Sequence, residues 1–98
     1  MYLEAYKEII RNLCKKYNVN SLYAFGSVLT NRFNEQSDID MIVSFKEIPL
    51  ESYADNYFDL KFTLQDVLQR SVDLLEEHAI KNPFFLQHVN QHKQLIYG

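Results

Sequence analysis

The chain has 98 residues, 47% of them hydrophobic, which suits one small globular domain with a modest core. Its 10 basic and 13 acidic residues give a net charge of −3, and no basic tract is longer than Lys15-Lys16, so we expect no dedicated nucleic-acid-binding surface. Cys14 is the only cysteine, which excludes a disulfide framework and a cysteine zinc site.

The hydrophobic pattern predicts that helices and strands alternate along the chain. Apolar side chains recur every three or four positions in the first segment and alternate in the next, which indicates a helix and then a strand. The predicted elements are a helix at 2–17, a strand at 20–26, a short helix from Ser27 to about Phe33, a polar loop at 34–37, a strand at 38–45, a long helix at 52–69, a strand at 72–76 and a helix beginning at Asn82-Pro83.

These elements predict an α/β (α+β) protein: a small mixed β-sheet with flanking helices, in a single domain covering residues 1–98. Leu95 and Ile96 are expected to cover the sheet or to form a contact surface. No leader segment and no apolar run of about 18 residues is apparent, so we expect a cytoplasmic location and no membrane contact.

Two aspartates mark the start of the predicted strand at 38–45. Side chains of a strand alternate between faces, so Asp38 and Asp40 point the same way while Ile39 points toward the packed side. Their carboxylates repel each other, and a divalent cation would remove that repulsion. Hard oxygen ligands of this kind suit magnesium or manganese.

A glycine and a serine stand where the preceding strand is predicted to end. Gly26 permits a close backbone approach to a ligand, and the turn that includes Ser27 could hold a phosphate on free N–H groups. Either fragment alone is a common structural feature. Together, with ten residues between Ser27 and Asp38, they are far more specific and suit phosphoryl or nucleotidyl transfer.

Asp73 interrupts the apolar run of the strand at 72–76. An unpaired buried carboxylate is costly, and a shared metal ion beside Asp38 and Asp40 would remove that cost. The alternative is an edge-strand aspartate that points to solvent.

The combination of Gly26-Ser27 with Asp38-x-Asp40 resembles the motif of the DNA polymerase beta nucleotidyltransferase superfamily. The small size of the chain is similar to the minimal nucleotidyltransferase (MNT) branch, whose members are often antitoxins of HEPN/MNT toxin–antitoxin pairs. The resemblance implies that Asp38, Asp40 and Asp73 are catalytic and bind two Mg²⁺ ions. It also implies that ATP is the nucleotide donor.

The resemblance further implies a partner and an acceptor. The expected reaction is transfer of AMP to a tyrosine of a HEPN ribonuclease toxin, with the acceptor site shared between two proteins. A hetero-oligomer or a homodimer would fit. Two alternatives stay open: a non-catalytic antitoxin that neutralises its partner by occlusion, and a small-molecule nucleotidyltransferase of the antibiotic-modifying kind.

The segment after the turn departs from the family pattern. Relatives often have Ala-Arg-Gly where this chain has Leu29-Thr30-Asn31. Asn31 could replace the glycine because Asn tolerates a left-handed conformation. Thr30 does not replace an arginine, so Arg32 is the candidate for the missing positive charge and joins Gly26 and Ser27 as a nucleotide-binding residue.

His88 and His92 share a face of the last predicted helix, at a spacing that can bind zinc. No further ligand is evident in the sequence near them. A solvated polar face is therefore predicted for this pair.

Overall fold

The computed structural model describes all of residues 1–98. Its helices and strands follow the predicted alternation, with one strand added at the end. In chain order they are α1 (Lys7–Lys16), β1 (Val19–Phe25), β2 (Ile39–Phe45), α2 (Leu50–Leu68), β3 (Val72–Glu76), α3 (Pro83–His92) and β4 (Gln94–Tyr97), with short 3-10 helices at Tyr2–Tyr6, Gly26–Leu29 and Glu77–Ala79.

The four strands form one mixed sheet in the order β3-β2-β1-β4. Strand β1 is antiparallel to both of its neighbours, whereas β2 and β3 are parallel and are joined by the crossover helix α2. The predicted small mixed sheet with flanking helices is confirmed. None of the helices combines the length and apolarity needed to cross a lipid bilayer.

The main core lies on one face of this sheet. From β2, Ile39, Met41 and Val43 point into a cluster of 15 buried residues. Helix α2 adds Leu60, Leu64 and Leu68, which follow one another at four-residue spacing and so lie on one helix face. The alternation of β2 therefore places residues 40, 42 and 44 on the opposite face.

Helix α3 lies on that opposite face. The ring of Phe85 contacts Phe25 of β1 edge-to-face at 6.0 Å, and the Lys93 ammonium, just after the helix, stands 4.0 Å from the centre of the Tyr23 ring. The predicted start of the helix is confirmed: the Asn82 carboxamide oxygen accepts hydrogen bonds from the N–H groups of Phe84 and Phe85, with Pro83 at the first helical position.

Strand β4 was not predicted. The segment expected to cover the sheet instead extends it, as Leu95 pairs with Tyr23 of β1 at the sheet edge. Four residues are too few for periodicity to separate a strand from a loop. The hydrogen bonds that make this segment a strand come from a partner more than 70 positions earlier in the chain.

Several boundaries differ from the prediction. The first predicted helix divides into the 3-10 helix at Tyr2–Tyr6 and α1, β1 is shifted by one residue, and β2 begins one residue later. Helix α2 begins at Leu50, directly after Pro49, rather than at 52. It ends with Gln69 in the left-handed conformation (φ 55°), where glycine would be less strained. The short helix after the turn stops at Leu29 rather than extending to about Phe33, because the Thr30 hydroxyl and N–H both donate to the Ser27 carbonyl and close the turn there.

Candidate active site

The turn after β1 packs directly against an aspartate of β2. Gly26 has φ +77°, and a Cβ atom at this position would lie 2.5 Å from Oδ2 of Asp40. Glycine is therefore required here for two reasons: the backbone is left-handed, and the carboxylate occupies the space that a side chain would need. The sequence motif's two halves are thus in contact in the fold.

Asp40 is also next to Asp73. In the parallel pairing of β2 with β3, the two residues are register partners, so their side chains emerge on the same face of the sheet. Asp38 precedes β2 by one residue and is exposed. Burial and the negative charges of Asp73 and Asp38 raise the pKa of the Asp40 carboxyl. The three aspartates are therefore one electrostatic group.

Asp73 is exposed and lies on the edge strand of the sheet, so the prediction of a buried carboxylate at this position was wrong. Register with Asp40, and not burial, is what brings it to the group.

The donor chemistry of this group suits a hard divalent cation, which would relieve the repulsion that raises the pKa of Asp40. The side chains as they stand do not enclose such an ion, since no group of three or more His, Cys, Asp or Glu residues in the chain could hold one. Asp38 and Asp73 are both exposed and free to change rotamer, because neither makes a hydrogen bond or an ion pair.

Arg70 holds the loop that leads from the turn to Asp38, a role that no sequence pattern predicted. Its guanidinium donates to the carbonyls of Asn34 and, at 2.5 Å, of Ser37, and stacks 4.3 Å from the centre of the Phe33 ring. The contacts span more than 30 positions of sequence, so no local pattern could reveal them. Arg70 therefore fixes the approach of the chain to Asp38.

The departure from the family pattern after the turn has a structural consequence. Thr30 caps the turn: besides bonding the Ser27 carbonyl, its hydroxyl accepts a hydrogen bond from the Arg32 N–H at 3.1 Å. Asn31 is not left-handed, so the prediction that it replaces a glycine was wrong. The Arg32 side chain is exposed and makes no ion pair.

A cavity of about 500 Å³ opens beside the turn. It brings together Gly26, Ser27 and Arg32, the three predicted nucleotide-binding residues, and its far wall is formed by helix α3. His88 and His92 line this wall, with their ring centres 4.7 Å apart. Both rings are exposed, as the predicted solvated face requires, and that face also lines the cavity that contains the turn.

The fold and these residues define a class of protein. The family model described as "Polymerase beta, Nucleotidyltransferase" matches residues 7–98, and the chain belongs to this nucleotidyltransferase family. The resemblance inferred from the sequence is confirmed, and with it the prediction of a nucleotidyltransferase.

A Methanocaldococcus jannaschii protein named as a candidate protein adenylyltransferase is 39% identical over 95 residues, covering 97% of this chain and 89% of the relative. The solved structure of a candidate minimal nucleotidyltransferase superposes with a TM-score of 0.78 at 27% identity, over 94% of this chain and 90% of that chain. These two proteins place the chain among the small members of the family.

One more solved structure shares the fold. A chain of the complex between a tri-AMPylated Shewanella oneidensis HEPN toxin and an MNT antitoxin superposes with a TM-score of 0.68 over 100% of this chain and 73% of that chain. At 20% identity, this likeness shows the fold alone.

Proposed function

We propose that the protein is an antitoxin of the MNT type that transfers AMP from ATP to a hydroxyl of a partner HEPN toxin. The family membership and the 39% identical relative named as a candidate protein adenylyltransferase support the reaction. The shared fold with the complex of an MNT antitoxin and an AMPylated HEPN toxin supports the partner. A tyrosine of the toxin is the proposed acceptor.

The catalytic part of this proposal rests on one observation: the turn is in contact with Asp40, which in turn lies beside Asp73. The Asp40 carboxylate fills the space above Gly26 and is the register partner of Asp73. A nucleotide whose phosphates lie on the turn would therefore have its reacting phosphorus beside the carboxylates. Short reach and fixed orientation are the main requirements of such a transfer.

Asp38, Asp40 and Asp73 would hold two Mg²⁺ ions. Bound Mg²⁺ supplies positive charge that stabilises the transferred phosphoryl group and the leaving pyrophosphate. The chain's own residues do the positioning. Ser27 and Arg32 bind the triphosphate from the cavity side, and Gly26 lets the backbone approach it.

The reaction exchanges one bond to phosphorus for another. The acceptor oxygen forms a bond with the α-phosphorus of ATP, the bond from that phosphorus to the bridging oxygen of pyrophosphate breaks, and pyrophosphate leaves with the electron pair. Asp73 is exposed on the edge strand and is the proposed acceptor of the hydroxyl proton. Its exposure makes it accessible to a side chain brought by another protein.

The direct test is a transfer assay with ATP labelled at the α-phosphate, Mg²⁺ and the partner toxin. We expect label on the toxin, and mass spectrometry should locate AMP on a tyrosine. A protein that binds ATP but transfers no label would contradict the proposed reaction. The double variant Asp38→Ala/Asp40→Ala is the matched negative control.

A second function, neutralisation by occlusion without catalysis, is favoured by two observations. The aspartates do not enclose an ion as they stand, and Thr30 caps the turn where relatives often have an arginine. The same double variant separates the two functions in a growth-rescue assay. Catalysis requires that rescue be lost, whereas occlusion alone would leave rescue intact.

A further inference from the structure

The cavity beside the turn has two walls from distant parts of the chain. One wall is the turn itself with Thr30 and Arg32, and the other is the histidine pair of α3. The orientation of α3 is fixed, because Val89, between the two histidines in sequence, is only 1% exposed. Residues 88 and 92 are one helical turn apart, so both imidazoles must face the cavity together.

The lining of this cavity suits an anion. It contains a guanidinium, two imidazoles and the hydroxyls of Ser27 and Thr30, and no aspartate or glutamate. Arg32 has no acidic partner, since the one ion pair in the chain joins His78 to Glu76. The Thr30 hydroxyl already donates to the Ser27 carbonyl, whereas the Arg32 guanidinium and the two imidazoles make no hydrogen bond or ion pair. Imidazole N–H groups and guanidinium are good hydrogen-bond donors to phosphate oxygens.

The cavity is also large for a single phosphate. At about 500 Å³ it extends from Gly26, which touches Asp40, across to α3. A metal site is a poor alternative, because the two histidines have no third ligand in the chain. A chain of phosphates that begins at the turn and continues toward α3 would meet all three basic side chains.

We propose that His88 and His92 form, together with Arg32, a binding site for the polyphosphate end of the donor nucleotide. This inference rests on the proposed function, since it assigns residues to the leaving-group end of the same substrate. The histidines contact the β- and γ-phosphates and hold the pyrophosphate that departs. They are binding residues from a helix in which the motif gave no sign of function.

Calorimetric titration with tripolyphosphate and with AMP, both in magnesium buffer, tests the site without any transfer reaction. The variant is His88→Gln/His92→Gln. The control is Gln87→Ala/Gln91→Ala, which changes two exposed residues of the same helix that do not line the cavity. We expect the double histidine variant to bind tripolyphosphate about tenfold more weakly or worse, as for lost charge-assisted hydrogen bonds, while its affinity for AMP is unchanged.

Unchanged tripolyphosphate affinity in the histidine variant would overturn the proposal, as would an equal loss in the glutamine control. An equal loss for AMP would also overturn it, because the histidines would then contact the nucleoside end. Failure of the native protein to bind tripolyphosphate would do the same. If the histidine variant loses affinity but the native protein labels no partner, the polyphosphate site stands and the proposed transfer function fails.

Discussion

The two faces of strand β2 differ in what they contribute. On one face Ile39, Met41 and Val43 are buried in the main core and fully apolar. On the other face Asp40 stands half-buried beside a second carboxylate and against the turn. Neighbouring residues of a single strand thus serve the core on one side and the candidate active site on the other.

The two faces contribute opposite terms to the free energy of folding. The core face gains free energy by burying apolar surface, at roughly 25 cal/mol per Å². The other face offsets part of this gain in folding free energy, because burial and two nearby negative charges make the ionised form of Asp40 unfavourable. Substitutions on the two faces should therefore change different properties of the protein.

The largest expected effect is on activity, at Asp40. We expect Asp40→Asn to reduce AMP transfer about 10³-fold, because Asp40 is a proposed metal ligand and its loss would remove several kcal/mol of charge stabilisation. Initial rates with labelled ATP would measure this. If the variant kept more than a tenth of the native activity, Asp40 would not be essential for catalysis.

The same substitution should raise stability in magnesium-free buffer. The pKa of Asp40 is raised in the folded state, so the native protein loses stability as pH increases through the range where the carboxyl ionises. Asp40→Asn should therefore stabilise the protein at neutral pH, where the native carboxyl is ionised, and not at acidic pH, where it is protonated. Thermal unfolding at both pH values measures the difference, and a lower melting temperature at neutral pH would argue against repulsion at this site.

The adjacent core position should show the reverse behaviour. Met41 is 0% exposed, and Met41→Ala is expected to lower the free energy of unfolding by about 2–5 kcal/mol through lost contacts and a cavity. Urea unfolding would measure this loss. At a temperature where the variant stays folded, its rate of AMP transfer should remain within a few-fold of the native rate. A loss of activity as large as that of Asp40→Asn would show that the two faces do not serve separate roles.

A smaller effect is expected at Arg70, which holds the loop before Asp38. Arg70→Gln loses the charged hydrogen bonds to two loop carbonyls, which should cost about 1.5–3 kcal/mol of stability and reduce transfer. Arg11→Gln is the control, since Arg11 is exposed and makes no hydrogen bond or ion pair. Similar unfolding curves for the two variants would contradict the role of Arg70.

The smallest effect concerns Cys14, on the core side. Burial raises the pKa of its thiol to about 12, so the folded protein keeps the thiol proton where the unfolded chain has lost it. Stability should therefore fall as pH increases between about 9 and 12, with no change near neutrality. Alkylation at pH 9 should be at least ~100-fold slower in the native protein than in urea. Equal rates would show that the thiol is accessible.

Local patterns predicted most of the elements and the class of protein. Helical spacing gave α1 and α2, the cap at Asn82 gave the start of α3, and the turn with the paired aspartates gave the resemblance that the family match confirmed. Each of these depends on residues close together in the chain, whose spacing is governed by helix and strand geometry. The roles assigned to the three aspartates remain predictions.

Long-range contacts decided the rest. Strand β4 exists because β1 offers a free edge, and Asp73 reaches Asp40 through strand register. Arg70 holds a loop more than 30 positions away, and α3 turns its histidines toward the turn at Gly26 and Ser27. None of these follows from spacing, since each joins segments that come together only when the sheet forms. Local conformation is determined by residues that are close in sequence. The surroundings of a side chain depend instead on which distant segment the folded chain places beside it.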